Sequence, residues 1–515
     1  MIKRLFQRPG SLLWIVFLWK IALLAFTSQP VPSNDGFFYD GPVVNFLLHG
    51  KYANPSIALA LPVSGREVFC AYPPLYQVLL LGWMSIFGTS VMAPMALHLV
   101  LFGIYLFILH KAFRLLDLPL WADYVASTFV LVITFQDRPD SLAHVLAMAA
   151  VYCWIKSRKS VPRNSSSWLW GMAVFEILSL CTGLQIGALY FMLLWIGVVA
   201  AKLFVNDRFP AGPMTALILI PAALVALVIL GFPHLWTGFL EHARQTPALT
   251  GFRIPKVGEI LKALRTVPGI FAIGIAVLWS GKKREIFSDA NKQDLWLVAL
   301  ILTTASLVMA FASMFLLTAN AVQFSAYLQP LAVGAYLAAM AESVSARSKS
   351  QTLMRVFIAL AALGAIRAIG MTTWGVVCAS DVSRTAALKR VRQEINEIHQ
   401  NQSAVFSGAY LHEAAPHTDF SWIHSDWLAP ARRGQVNSDR QALIKVKPVK
   451  LLLTQFDYYR RYQAVLEQLK TSSDVVTLEI IDTTRLPPPD AIKPLQKVVQ
   501  HISWAPIIVN MTWKQ

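Results

Sequence analysis

The chain has 515 residues, of which 56% are hydrophobic and only 14% charged. A soluble domain carries roughly 25% charged residues, so a wholly soluble protein is excluded. The net charge of +17 would suit nucleic acid on a soluble chain. Here Lys and Arg gather in short loops between apolar stretches, as cytoplasmic loops of membrane proteins do, and nucleic acid is not an expected partner.

The stretch 12–26 follows Lys3, Arg4 and Arg8. No small-residue cleavage site follows it and more apolar stretches come later, so it is expected to stay as a first span with a cytoplasmic N-terminus. Residues 29–90 then make a first outer loop, rich in Pro, Gly and Asn, with one amphipathic stretch at 75–87. That stretch is a short span or a surface helix; only the surface helix keeps the later loops in accord with the charge rule. Spans follow at 91–108, closing on inner Lys111 and Arg114, and at 121–135, closing on an outer turn of Asp137, Arg138, Pro139 and Asp140. Others lie at 142–155, 168–184, 189–204 and 215–232, with Lys156, Arg158, Lys159, Lys202 and Arg208 inside. A large outer loop at 233–266 leads to a short crossing at 268–279, then spans at 295–317, 323–340 and 356–377. The expected fold is a polytopic α-helical membrane protein of about 11 transmembrane helices, each near the ~20 apolar residues a bilayer requires.

The membrane part is expected over residues 1–378 and a small extracytoplasmic α/β domain over 379–515. In the latter, Ala387, Val391, Ile395 and Ile398 recur at helical spacing. Strands are expected at 404–406, 449–453 and 475–481, with a helix at 458–469. That alternation points to an α/β layer structure. It has no glycine-rich phosphate loop and is not expected to bind nucleotide.

Ionisable groups held at a bilayer edge are costly and mark a functional site by default. The first outer loop reads Asn34-Asp35-Gly36-Phe37-Phe38-Tyr39-Asp40-Gly41 and later Tyr72-Pro73-Pro74-Leu75-Tyr76. Asp35 stands just beyond a span end, where a membrane-borne substrate meets water. The Pro pair stiffens the loop and starts the following helix. The bland alternative is a solvated loop with an acidic start.

In order and sidedness these runs resemble the GT-C glycosyltransferases, nearest to the bacterial relatives of the protein mannosyltransferases and of the lipid A aminoarabinose transferase. The likeness rests on Asp35, Tyr39 four residues on, a helical stretch closing at Gly50, Pro73-Pro74-Leu75-Tyr76 and Phe87-Gly88. Arg138-Pro139-Asp140 adds to it, as does, more weakly, Tyr327-Leu328-Gln329-Pro330-Leu331 on a late span. Gly36 stands where the family often has Glu, Tyr72 where Lys or His is usual, and Ala326 where Arg or His is usual. The resemblance covers the chain well as far as the 142–155 span, the later spans by layout, and the C-terminal domain barely.

The resemblance implies transfer of a sugar from a polyprenyl-phosphate carrier to an outer-face acceptor, whether glycan, lipid or protein, with inversion. It also implies a bacterial inner membrane and no cofactor beyond the lipid-linked donor, a divalent metal being left open. It places Asp35 at the catalytic centre, and Asp40 stands close enough in sequence to supply the carboxylate that Gly36 lacks. A carboxylate acting as general base contributes about 10² to 10⁴ in rate. Arg138 suits a departing phosphate, which Arg meets bidentately. Equally, Arg138 pairs with Asp137 or Asp140 and pins the turn. Asp140 either positions Arg138 or touches the acceptor, and Tyr39, Tyr72 and Tyr76 complete the substrate-binding candidates. An apolar groove between spans would take the isoprenoid.

Other polar residues read as structural. His98 and His110 are expected to pack on span faces, and Glu176 and Gln185 to satisfy each other or a neighbour. Glu241, His242 and Arg244 sit on the large outer loop, where they would line the cavity. His412, His417 and His424, with Glu413 and Asp419, are too loosely spaced for a convincing metal site. Cys153 and Cys181 read as core residues, whereas Cys70 and Cys378 fall near the outer face and their pairing is open. A transporter or flippase should show paired halves and broken mid-membrane helices, and no such pairing is visible. A non-catalytic scaffold stays open as the third reading.

Overall fold

The structure, a computed structural model, describes residues 9–27, 34–57, 73–133, 138–159, 162–204, 209–233, 236–237, 239–240, 257–258, 260, 290–316, 325–343, 349–379, 384–417, 419–425, 428, 436–472, 474–482 and 504–514. The membrane part consists of α1 (Ser11–Thr27), α2 (Asn34–His49), α3 (Leu75–Phe87), α4 (Met92–Leu115) and α5 (Leu120–Thr128). It continues with α6 (Pro139–Lys159), α7 (Pro162–Leu180), α8 (Leu184–Phe204), α9 (Ala211–Gly231), α10 (Ala290–Leu316), α11 (Gln329–Ser343) and α12 (Lys349–Ala379). Among the described residues, Met92–Leu115, Leu184–Leu203 and Ala211–Gly231 are long and apolar enough to cross a bilayer; shorter apolar helices include Ser11–Phe26, Leu120–Leu131 and Ile358–Gly370. The chain is an integral membrane protein. The crossing expected at 268–279, the large outer loop's Glu241, His242 and Arg244, and Cys70 lie outside the described residues, as does the side chain of Cys378.

Small residues let these helices approach closely, as they do in lipid where apolar burial against tails gains little. On α6, Ala143, Ala147 and Ala150 are fully buried. A Cβ at Gly171 of α7 would stand 3.2 Å from Cys153 Sγ of α6, and one at Gly197 of α8 only 2.8 Å from the Trp154 ring. Large exposed apolar side chains on α9, such as Leu219, Leu227 and Leu230, fit a lipid-facing helix.

Helix α3 runs over the expected 75–87 and opens directly behind Pro73 and Pro74. The outward span expected at 121–135 is shorter than that: α5 gives way to a 3₁₀ turn, Phe129–Val132, and α6 opens at Pro139. Proline suits a first helical position because its missing N–H would have no partner there. Glu176 and Gln185 do not satisfy each other. Gln185 is exposed, whereas the Glu176 carboxylate is fully buried and has no hydrogen-bond partner among the described residues.

The C-terminal domain comprises α13 (Arg384–Asn396), β1 (Ser403–Phe406), α14 (Gly408–Ala414), β2 (Ser421–His424), α15 (Val436–Val446), β3 (Lys450–Thr454), a π-turn at Tyr458–Tyr462 leading into α16 (Gln463–Lys470), β4 (Val475–Asp482) and β5 (Pro506–Trp513). The strands form one mixed sheet in the order β2-β1-β3-β5-β4. Strand β1 is parallel to β2 and β3, and β5 is antiparallel to β3 and β4. Val405, Leu451, Leu453, Ile507 and Val509 pack one face against Tyr462, Val465, Leu466 and Leu469.

This domain is docked on α2 and the residues just after α3. Helix α14 lies against α2. His49 Nε2 lies 3.0 Å from the Ala415 carbonyl, and His412 Nδ1 lies 3.3 Å from the Thr89 carbonyl. Burial pushes the His412 pKa from 6.5 down to about 4, partly offset by the Thr89 contact. A depressed folded-state value means that neutral His412 contributes fully above pH 6.5 and loses that contribution as pH falls through about 4. The contribution at stake is on the order of 3 kcal/mol. Amide protection across α14 and α2, corrected for the intrinsic slowing of exchange at lower pH, is therefore expected to weaken as pH falls through this window. In His412→Asn that dependence should flatten; an unchanged profile would remove His412 from the account.

Candidate functional site

The site is built around α2, whose sequence is awkward for a helix. Pro42 sits inside it and lacks an N–H, so the Phe38 carbonyl loses its helical partner. Asn54 supplies the missing donor: its Nδ2 lies 3.2 Å from the Phe38 oxygen. Ser56 in turn donates to Asn54 Oδ1 at 2.5 Å. Gly41 makes room for this, since a Cβ there would stand 2.8 Å from the Asn54 amide. Asn54→Ala is expected to leave a buried carbonyl unpaired and to cost about 1–3 kcal/mol, read by thermal unfolding in detergent.

Neighbouring residues on a helix point about 100° apart, so Tyr39 and Asp40 serve two different clusters. Asp40 is 1% exposed and accepts the Tyr76 hydroxyl at 2.9 Å. His98 of α4 stands on the other side of that hydroxyl, with Nε2 at 3.0 Å and the rings stacked. Asp40, Tyr76 and His98 thus form one buried chain across α2, α3 and α4. His98 is more than the packing residue that the sequence suggests, and Tyr76 spends its hydroxyl on protein groups. Tyr76→Phe should lower stability by about 1–3 kcal/mol, because the carboxylate would lose a buried donor. His98→Phe keeps the stacked shape and should cost less.

The second cluster gathers at the N-terminal end of α6. Arg138 pairs with Asp140, Nε to Oδ2 at 2.9 Å. Its Nη2 reaches the Tyr39 hydroxyl at 3.4 Å, and the guanidinium lies 5.6 Å from the Tyr39 ring centre. Both charged side chains are partly open, 20% and 17% exposed. Tyr327, at the mouth of α11, joins through the Ser141 side chain and sits in the field of Asp140 and Arg138. Its ring stacks on His144 at 3.9 Å, and its carbonyl accepts the Tyr105 hydroxyl at 2.6 Å. His144 Nδ1 lies 3.4 Å from the Tyr190 hydroxyl. Asp140, Ser141 and His144 fall at helical spacing on α6, which brings them to one side.

Asp35 lies in the first turn of α2, one turn before Tyr39; its side chain lies outside the described atoms, and Tyr72 and Asp137 lie outside the described residues. The structure therefore brings together Tyr39, Arg138 and Asp140, and separately Asp40 and Tyr76. Tyr327 and His144 join the first group and His98 the second. The pairing reading of Arg138 is realised with Asp140, yet that pair stays partly open, so an anion could still approach the guanidinium. Among the described residues no group of three or more His, Cys, Asp or Glu gathers as a metal site.

No family model matches the sequence, and no curated protein matches it. Solved structures do. ArnT from Cupriavidus metallidurans, bound to undecaprenyl phosphate, superposes with a TM-score of 0.52 at 12% identity, covering 96% of this chain and 97% of that one. The oligosaccharyltransferase of Archaeoglobus fulgidus, tethered to an acceptor peptide, gives a TM-score of 0.51 at 12% identity, covering 90% of this chain and 72% of that one. At this level of identity the likeness speaks for architecture, and it runs across both the membrane part and the C-terminal domain. The chain shares its overall fold with these two structures.

Proposed function

We propose that this protein transfers a sugar from a polyprenyl-phosphate carrier to an acceptor at the outer face of a bacterial inner membrane. The observation that carries the reading is the partly open cluster of Arg138, Asp140 and Tyr39 at the end of an apolar helix bundle with this fold. A lipid-linked anionic donor requires an apolar path for its tail and a cation at the membrane edge for its phosphate. In the proposed reaction an acceptor oxygen attacks the anomeric carbon and its proton passes to Asp35. The bond from that carbon to the phosphate oxygen breaks, its electrons leave with the phosphate, and Arg138 meets the charge. Attack opposite the leaving group inverts the anomeric centre. Asp140 and Tyr39 hold the guanidinium in place, and Asp40 braces α2 through Tyr76 and His98. In this reading the N-terminus is cytoplasmic and the C-terminal domain extracytoplasmic, the orientation that the basic loops favour. The acceptor is a glycan, lipid or protein.

A ligand that binds only the folded protein raises its unfolding temperature. Undecaprenyl phosphate should do so for the purified protein, undecaprenol should do so much less, and Arg138→Ala should erase the difference. Equal shifts from both lipids in the wild type would remove the phosphate site from this reading.

A further inference from the structure

The C-terminal domain carries an open surface cavity of about 600 Å³ that belongs to neither cluster. It opens at the sheet end where β1 and β3 begin and β5 finishes, lined by residues such as Gln402, Val449, Lys450 and Trp513. Helix α14 and the contact with α2 lie past the other end of β1. A volume of this size suits a ligand of several hundred daltons.

Three features of its lining point to one chemistry. The first is a fixed aromatic wall: the Trp513 indole N–H donates to the Pro448 carbonyl at 2.7 Å, which sets the ring's orientation. The second is an unmet acceptor. Asn510 lines the cavity, and its buried Oδ1 has no hydrogen-bond partner among the described residues. A buried carbonyl oxygen left so is costly unless something donates to it. The third is surplus positive charge. Three lysines, Lys447, Lys450 and Lys514, face a single lining carboxylate, Glu397. Lys450 is neutralised by Glu394 and Glu397, so the surplus resides at Lys447 and Lys514. These two are joined at the rim, Lys447 Nζ donating to the Lys514 carbonyl at 2.9 Å. Lys447 also takes a left-handed backbone, φ 48°, at the close of α15. Gly or Asn takes that conformation more readily, so the turn itself does not call for lysine.

We propose that this cavity binds an acidic saccharide. A sugar ring would lie with its C–H face on Trp513, a hydroxyl would donate to Asn510 Oδ1, and a carboxylate would meet the ammonium groups of Lys447 and Lys514. A neutral sugar would leave the surplus charge unanswered, and a bare anion would leave the indole and the amide unused. The proposal rests on the domain's own geometry and does not require the transfer reading. If both are right, the cavity retains an anionic acceptor chain on the domain that braces α2.

The test uses the full-length protein in nanodiscs, with binding followed by calorimetry. The probes are oligogalacturonate, a neutral galactose oligomer of the same length, and inorganic phosphate. Oligogalacturonate should bind at least about tenfold more tightly than either other probe. The double variant Lys447→Gln/Lys514→Gln should weaken it by about tenfold with unchanged unfolding temperature. Asn510→Leu should weaken it independently of salt. Equal binding of the acidic and neutral oligomers, equal binding by wild type and the double variant, or no binding of oligogalacturonate would each overturn the proposal. Sugar transfer measured on the same preparations reports separately on the function proposed above, so failure of one is not mistaken for failure of the other.

Discussion

Asp35→Asn is expected to lower turnover by about 10² to 10⁴, the range a positioned general base supplies. Donor affinity should stay within a few fold, because the substitution keeps size and polarity and removes only the ability to take a proton. The expectation rests on the position of Asp35 in the first turn of α2, one turn before the tyrosine that meets Arg138. Asp40 provides the internal contrast. It is 1% exposed and already bonded by Tyr76, so Asp40→Asn should act chiefly on stability and on the set of α2. Stopped-time turnover and unfolding temperature, measured for both variants, separate a base from a brace. Comparable loss of turnover in both, at equal stability, would mean that the carboxylates act together. Wild-type turnover in Asp35→Asn would remove the proposed base.

Arg138→Ala is expected to lower turnover by about 10² to 10³, the usual effect of removing one group that meets charge developing in the transition state. Arg138→Lys keeps the charge but loses the planar fork that matches phosphate, so it should recover only part of the loss. The rival role for Arg138 is purely structural, a pin for the turn before α6 through Asp140 at 2.9 Å. The two roles separate cleanly. A pin predicts a lowered unfolding temperature, with normal turnover for the protein that remains folded. A phosphate contact predicts lost turnover, a raised KM for the lipid donor, and little change in unfolding.

Much of the local structure was legible because its signals are local. Helix α3 is punctuated by Pro73-Pro74 before and Gly88 after, and α13 shows its buried stripe at Ala387, Val391 and Ile395. Strands β1, β3 and β4 stood out as apolar runs. Helix α2 was half hidden, because Gly36, Gly41 and Pro42 all read as loop residues. What restores it is the Asn54 side chain, a contact across the chain that no helical pattern encodes. The same reason hid the full site. His144 and Tyr327 are far apart in sequence and meet only because the turn before α11 lies against α6. His98 looked like packing because its partner, Tyr76, lies on another helix. The sequence suggests that Glu176 and Gln185 satisfy each other or a neighbour, but the turn between α7 and α8 sends them to buried and exposed sides. Strands β2 and β5 complete the sheet through pairings set by tertiary structure.

The central claim is sugar transfer from a lipid phosphate, and liposomes containing the purified protein test it directly. A panel of polyprenyl-phosphate sugars labelled in the sugar would be offered with cell-envelope extract as acceptor. Release of label from the carrier by wild type, and not by Asp35→Asn, is the result expected. Folded wild-type protein that binds none of these donors, and leaves the label on every carrier, would contradict the account and favour a transporter or a scaffold.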